Sequence, residues 1–155
     1  MQELKLTPHL VPKPLWGKSA ANLLKRADWD RIRRDALQAA RHACQVCSDA
    51  ASASLLNCHE LWDYDDEHGT ATLVGLRIQC RNCDSAVHMG RAVRRGFGNA
   101  AIAQLVKVNV IGAREAKMLY RSAMDAWRRR NKKPWRIVVE KSLMERYPEL
   151  AILEN

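Results

Sequence analysis

Two C-x-x-C pairs, Cys44-Gln-Val-Cys47 and Cys80-Arg-Asn-Cys83, constrain this chain more than any other feature. Two such pairs can supply four thiolates at the corners of a tetrahedron, the arrangement zinc takes in structural sites. A closed four-sulfur site leaves no open position for a substrate. Its role is to hold the segments around it together, and its binding energy becomes part of the folding energy. The spacing assigns Cys44, Cys47, Cys80 and Cys83 to one structural Zn2+.

At 155 residues the chain fits a single domain, 1–155, small enough to gain from a metal staple. Hydrophobic residues make up 47 %, which excludes a disordered tail. No stretch approaches the run of about 18 apolar residues that a membrane span needs, so no membrane partner is expected. The start, Met1 to Pro8, lacks the basic-then-apolar layout of a secretory signal. Five cysteines, four of them in the two pairs, then point to metal in a reducing compartment rather than disulfides, and the expected location is cytoplasmic. Lys and Arg number 26 against 17 Asp and Glu, a formal charge of +9 that favours polyanions such as nucleic acid.

The expected fold class is α+β. A Pro-rich, extended opening around Pro12 and Pro14 should lie over the body of the domain. Asp28 is expected to cap a helix with Trp29, Ile32, Ala36, Leu37 and Ala40 on one stripe, running into the first cysteine pair. Residues 54–59 and 71–79 read as strands, with a polar, acidic turn from Asp63 to Gly69 between them. A helix is expected from Asp84 through His88 and Arg95, ended by Gly96 and Gly98. Beyond it come a short helix capped by Asn99, a longer one over 113–130, a strand at 135–139 and a last helical turn over 141–147. Trp16, Trp29 and Trp62 read as core residues rather than stacking platforms.

Between and after the cysteine pairs lies a second constellation. His59 stands on the first expected strand. Asp84 and His88 are four residues apart on the helix that follows the second pair, so their side chains share one face. A carboxylate and an imidazole at that spacing can hold one divalent ion beside His59.

The segments Cys58-His-Glu-Leu-Trp-Asp-Tyr-Asp-Asp66 and Leu73-Val-Gly-Leu76, set between the two cysteine pairs, and Val87-His-Met-Gly-Arg-Ala92, just after the second, resemble HNH nucleases of the ββα-metal type. They are similar to small bacterial and phage HNH proteins. The resemblance covers most of the chain, with the specific motif confined to residues 44–95. It implies an HNH core over 44–95, an N-terminal arm and helix over 1–43, and a C-terminal helical extension over 99–155. It implies that His59 is a general base activating water against a DNA phosphodiester, and that Asp84 and His88 ligate the catalytic ion, Mg2+, Mn2+, Ni2+ or Zn2+. Cys58, beside the base, is a candidate further ligand by the same resemblance, with a core thiol as its preferred reading. Arg91, Arg94 and Arg95, with Arg128, Arg129 and Arg130, would contact the phosphates of double-stranded DNA.

The chain departs from the family pattern at two points. Asp84 stands where the family has a histidine, and no Asn occurs between Glu60 and Gln79 to orient His59, leaving His68 and Gln79 as candidates. Two functions are therefore expected in order: a metal-dependent DNA endonuclease, then a catalytically inactive HNH-fold protein that binds nucleic acid or a protein partner.

Overall fold

The computed structural model describes residues 2–50 and 55–154. Its centre is one long hairpin, β1 (Leu56–Asp65) antiparallel to β2 (Thr70–Cys80). A third strand, β3 (Arg136–Val139), runs parallel to β2 along Thr70–Leu73, giving the order β1-β2-β3. A bulge opposite Leu61 and Trp62 leaves Val74 as the extra residue of β2.

The first strand is longer than its sequence suggests, and Ser54, its expected first residue, lies outside the described residues. The acidic stretch expected to be a turn from Asp63 is strand as far as Asp65. Trp62 and Tyr64 pack against the core while Asp63 and Asp65 face water, which is the two-residue alternation of a half-buried strand. Composition disguised that alternation as a loop. The true turn is short. The Asp65 carboxylate accepts the backbone N–H groups of Glu67 and His68, and Gly69 closes it at φ +65°.

Upstream, α1 (Ala20–Leu23) precedes α2 (Arg26–Ala39). Lys25 occupies the N-cap position of α2 and Asp28 sits in the first turn, near the positive end of the helix dipole, so Asp28 is not the cap. The expected stripe is buried: Ile32 and Leu37 are inside, Trp29 packs on one half of the core, and Ala36 and Ala40 on the other. The helix does not run straight into the cysteine pair. Arg41 and His42 turn left-handed, at φ 54° and 53°, and the His42 N–H returns to the Leu37 carbonyl.

Helix α3 (Arg81–Val87) starts three residues earlier than expected, because Cys80 takes the N-cap position and Cys83 lies in the first turn. The second cysteine pair is thus the helix start itself. At His88 the backbone leaves helical geometry (φ −87°, ψ 47°) before α4 (Met89–Arg94) resumes. Helix α5 (Gly98–Asn109) has Phe97 at its N-cap position, with Asn99 already inside. Helix α6 (Ala113–Arg130) spans the expected residues, and α7 (Lys141–Arg146) follows β3.

Two apolar clusters fill the interior. One gathers Leu56, Ile78, the cysteines, Val87, Met89 and Leu105; the other gathers Ala71, Leu73, Trp135, Ile137, Leu150 and Leu153. The N-terminal arm lies over the body, as expected, but around Pro14 it coils into a 3-10 turn, Lys13–Leu15, rather than staying extended. Asn109 holds it like a strand partner, accepting from Leu6 N–H at 3.1 Å and donating to Leu6 carbonyl at 2.7 Å. His9 N–H then bonds the Val87 carbonyl at 2.8 Å. Trp29 and Trp62 pack on the core, but Trp16 is 58 % exposed, contrary to expectation. No helix among the described residues is long and apolar enough to cross a membrane.

Candidate metal centres

The sulfurs of Cys44, Cys47, Cys80 and Cys83 lie within 4.8 Å of one another. Cys47 and Cys80 Sγ are 3.7 Å apart, and a tetrahedron with metal–sulfur bonds of about 2.3 Å has edges of about 3.8 Å. The donor set fits zinc. Burial opposes ionisation of Cys44, but backbone N–H donors, Val46 among them, outweigh it and bring that thiol down to about 7. Burial pushes Cys47 up to about 11 and Cys83 higher still, against a donated bond from Gln104 Nε2 to Cys83 Sγ at 3.2 Å. Four thiolates packed this closely repel one another, and a cation at their centre removes that cost. The four cysteines could therefore bind a zinc ion, with Gln104 and the Val46 amide as donors to its sulfurs.

A second cluster is formed by His59, Asp84 and His88, whose ligand atoms also lie within 4.8 Å of one another. His59 comes from the middle of β1. Asp84 and His88 come from α3 and its break, and the four-residue spacing sets His88 Nε2 3.6 Å from Asp84 Oδ1. The His59 and His88 rings meet edge to face with centroids 5.2 Å apart. A first-row divalent ion with bonds of about 2.1 Å holds its ligand atoms roughly 3–4 Å apart, so this spacing suits one ion.

Asp84 is aimed by a relay that runs through buried Gln79. Arg77 Nε and Nη2 donate to Gln79 Oε1 at 3.0 and 2.9 Å, which forces the Gln79 amide nitrogen towards Asp84 Oδ1 at 2.9 Å. Gln79 is fully buried. Of the two candidates for orienting His59, Gln79 instead orients the carboxylate, and His68 is exposed and bonded to Asp65. Neither holds His59. The other Asp84 oxygen, Oδ2, lies 3.3 Å from Arg91 Nη2.

Electrostatics keep the imidazoles neutral. Burial, then the neighbouring His88, His9 and Arg77, push His59 down to about 3. His88 is also lowered by burial, against the pull of Asp84. His9, which the sequence did not single out, arrives from the N-terminal arm with its ring 6.4 Å from His59. Its Nε2 lies 3.2 Å from the Tyr64 hydroxyl, and burial followed by Arg130 pushes it down to about 4. The prolines near residue 12 forecast an arm across the body but not which side chain it would deliver.

Cys58 is not part of either cluster. Its neighbour His59 points to the opposite side of the strand, and the thiol packs on the core, pushed up to about 12 by burial. Of its two readings, the core thiol is the one the structure supports. Arg91, Arg94 and Arg95 are exposed along and just after α4. At the end of α6, Arg129 is exposed and Arg128 pairs with Asp125 at 3.0 Å. Arg130 is committed elsewhere: it makes two bonds to Asp66, at 2.8 and 2.7 Å, and covers the Tyr64 ring at 4.5 Å. Compared with known proteins, the chain matches no family model, no curated sequence and no solved structure.

Proposed function

We propose that the chain is a metal-dependent endonuclease of the HNH type that hydrolyses DNA phosphodiester bonds. The observation that carries the proposal is the meeting of His59 with Asp84 and His88, a strand imidazole against a helix carboxylate–imidazole pair. In this reading Cys44, Cys47, Cys80 and Cys83 hold a structural zinc that fixes the start of α3, and the strand–strand–helix segment is a ββα-metal core.

Asp84 and His88 would hold the catalytic divalent ion, which supplies Lewis-acid stabilisation of charge developing on phosphate oxygens. His59 is unprotonated at neutral pH, so it is free to accept a proton from the attacking water. The phosphate's negative charge raises the affinity of that imidazole for the proton it takes. Gln79, locked by Arg77, keeps Asp84 in its orientation without adding charge. Exposed Arg94 and Arg95 lie next along the chain to bind flanking phosphates, with Arg91 shared between them and Asp84.

The test is plasmid nicking with Mg2+, Mn2+, Ni2+ or Zn2+ by the wild type and His59→Ala. Metal-dependent nicking lost in the variant is expected; equal products from both retire the enzyme. One observation favours a second reading, a non-catalytic scaffold that binds nucleic acid or a protein partner. Both oxygens of Asp84 already have internal partners, Gln79 and Arg91. In that case the zinc remains, no cleavage occurs with any ion, and DNA is retarded in a strongly salt-dependent manner.

A further inference from the structure

Next to His88 lies a cleft of ≈ 510 Å³ between the N-terminal arm, α4 and α6. We infer that this cleft receives the base of an unpaired nucleotide, so that the DNA substrate is single-stranded or frayed beside the scissile phosphate. The inference rests on the nuclease reading only for the position of the phosphate, and it is tested separately from it.

Two indoles form the walls. Trp16 and Trp127 both donate their Nε1–H to one acceptor, the Val11 carbonyl, at 2.9 and 3.0 Å. This shared bond fixes two aromatic planes from distant parts of the chain. Trp16 remains 58 % exposed, held out by the turn at Gly17 (φ +77°). The hydrogen bond fixes this exposed indole in place, so that its face is open to stack on a planar ligand. Tyr120 and Met124 extend the apolar lining along α6.

The charge is one-sided. Lys13, Arg91 and Arg94 line the cleft, and none of its described lining residues is acidic. Lys13 is positioned by its backbone N–H bond to Asn131 Oδ1 at 2.8 Å, and its Nζ lies 5.5 Å from the centre of the Trp127 ring. Aromatic walls under a cationic rim suit a planar base carrying a phosphate. A paired base inside a duplex has no free face to present to such walls, so the occupant is an unpaired one. His88 lines the same cleft and places it directly against the Asp84–His88 ligand pair.

The test uses the full zinc-loaded chain carrying His59→Ala, so that bound DNA is not cut. Fluorescence anisotropy is read with three probes: a labelled oligothymidylate, the same strand with abasic sites, and a blunt duplex of equal length. The oligothymidylate is expected to bind tightest. Trp16→Ala should weaken it about tenfold and Trp16→Phe much less, since stacking on one aromatic ring contributes on that scale. Val93→Glu, at an exposed cleft residue, places a carboxylate in the cleft and should weaken the same probe without relying on Trp16. Equal affinity for the normal and abasic strands, or indifference to both Trp16→Ala and Val93→Glu, overturns the inference. Plasmid nicking that needs His59 but ignores Trp16 removes the cleft and leaves the nuclease. Trp16-dependent binding by a chain that never cuts removes the nuclease and leaves the cleft.

Discussion

Gln79 shows how one side chain can set the chemistry of another. Its oxygen is saturated by Arg77, so its nitrogen has only the Asp84 carboxylate to serve. In the proposed site, replacing it with Ala would free the carboxylate to rotate, and outer partners of this kind typically govern 10–100-fold in metal affinity. Isothermal titration of Mn2+ into zinc-loaded Gln79→Ala is therefore expected to show binding at least tenfold weaker than wild type, with the zinc content unchanged. The contrast with His59, Asp84 and His88 shows what was legible. Asp84 and His88 follow from local spacing, because a four-residue step on a helix fixes a shared face, and His59 from the family resemblance of the segment that carries it. Gln79's task, His9 and Gln104 were not legible. Each depends on which distant element packs opposite, and no local pattern encodes that. Trp16 was misread for a related reason: hydrophobicity alone does not say which indole the arm leaves in water.

At the scale of elements, the second cysteine pair both begins α3 and closes the sulfur cluster. Cys80→Ser should abolish stoichiometric zinc and either prevent folding or lower the melting temperature by many degrees, as read by metal analysis and circular dichroism. Ile78→Ala, a fully buried position on β2, should cost about 2–5 kcal/mol in denaturant unfolding while retaining the zinc. Comparing the two separates the staple from the packing. Helices α2 and α6 were legible because their apolar stripes recur at helical period. The ends were less so. Asp28 and Asn99 are good capping types, yet the chain starts each helix earlier, and the acidic residues of β1 concealed a strand behind the composition of a loop.

For the whole molecule, buried titratable groups pull stability in opposite directions. His9 and His59, ordinarily at 6.5, are held down to about 4 and about 3 by burial first. The unfolded chain binds their protons more readily. Their contribution is complete above pH 6.5 and is lost as pH falls towards 4 and 3. Glu60 acts in the reverse sense. Burial raises its carboxyl from 4.5 to about 7, against a bond from Ala20 N–H at 2.7 Å. Its contribution is complete below pH 4.5 and is lost as pH rises through 7. Glu60→Gln keeps an acceptor for Ala20 and should stabilise the protein by up to about 3 kcal/mol at pH 8, with no gain at pH 4.5, in paired urea titrations.

The parallel pairing of β3 onto β2 also bears on how the chain is made. During synthesis the hairpin and its sulfur cluster emerge long before residues 136–139, so the outer rim of β2 waits uncovered with the amides and carbonyls of Thr70–Leu73 exposed. A nascent or truncated chain that stops short of Arg136 offers that rim to any passing strand, its own sister molecules included. Such a fragment, purified with its zinc, is expected to elute from gel filtration as larger assemblies than the full chain forms.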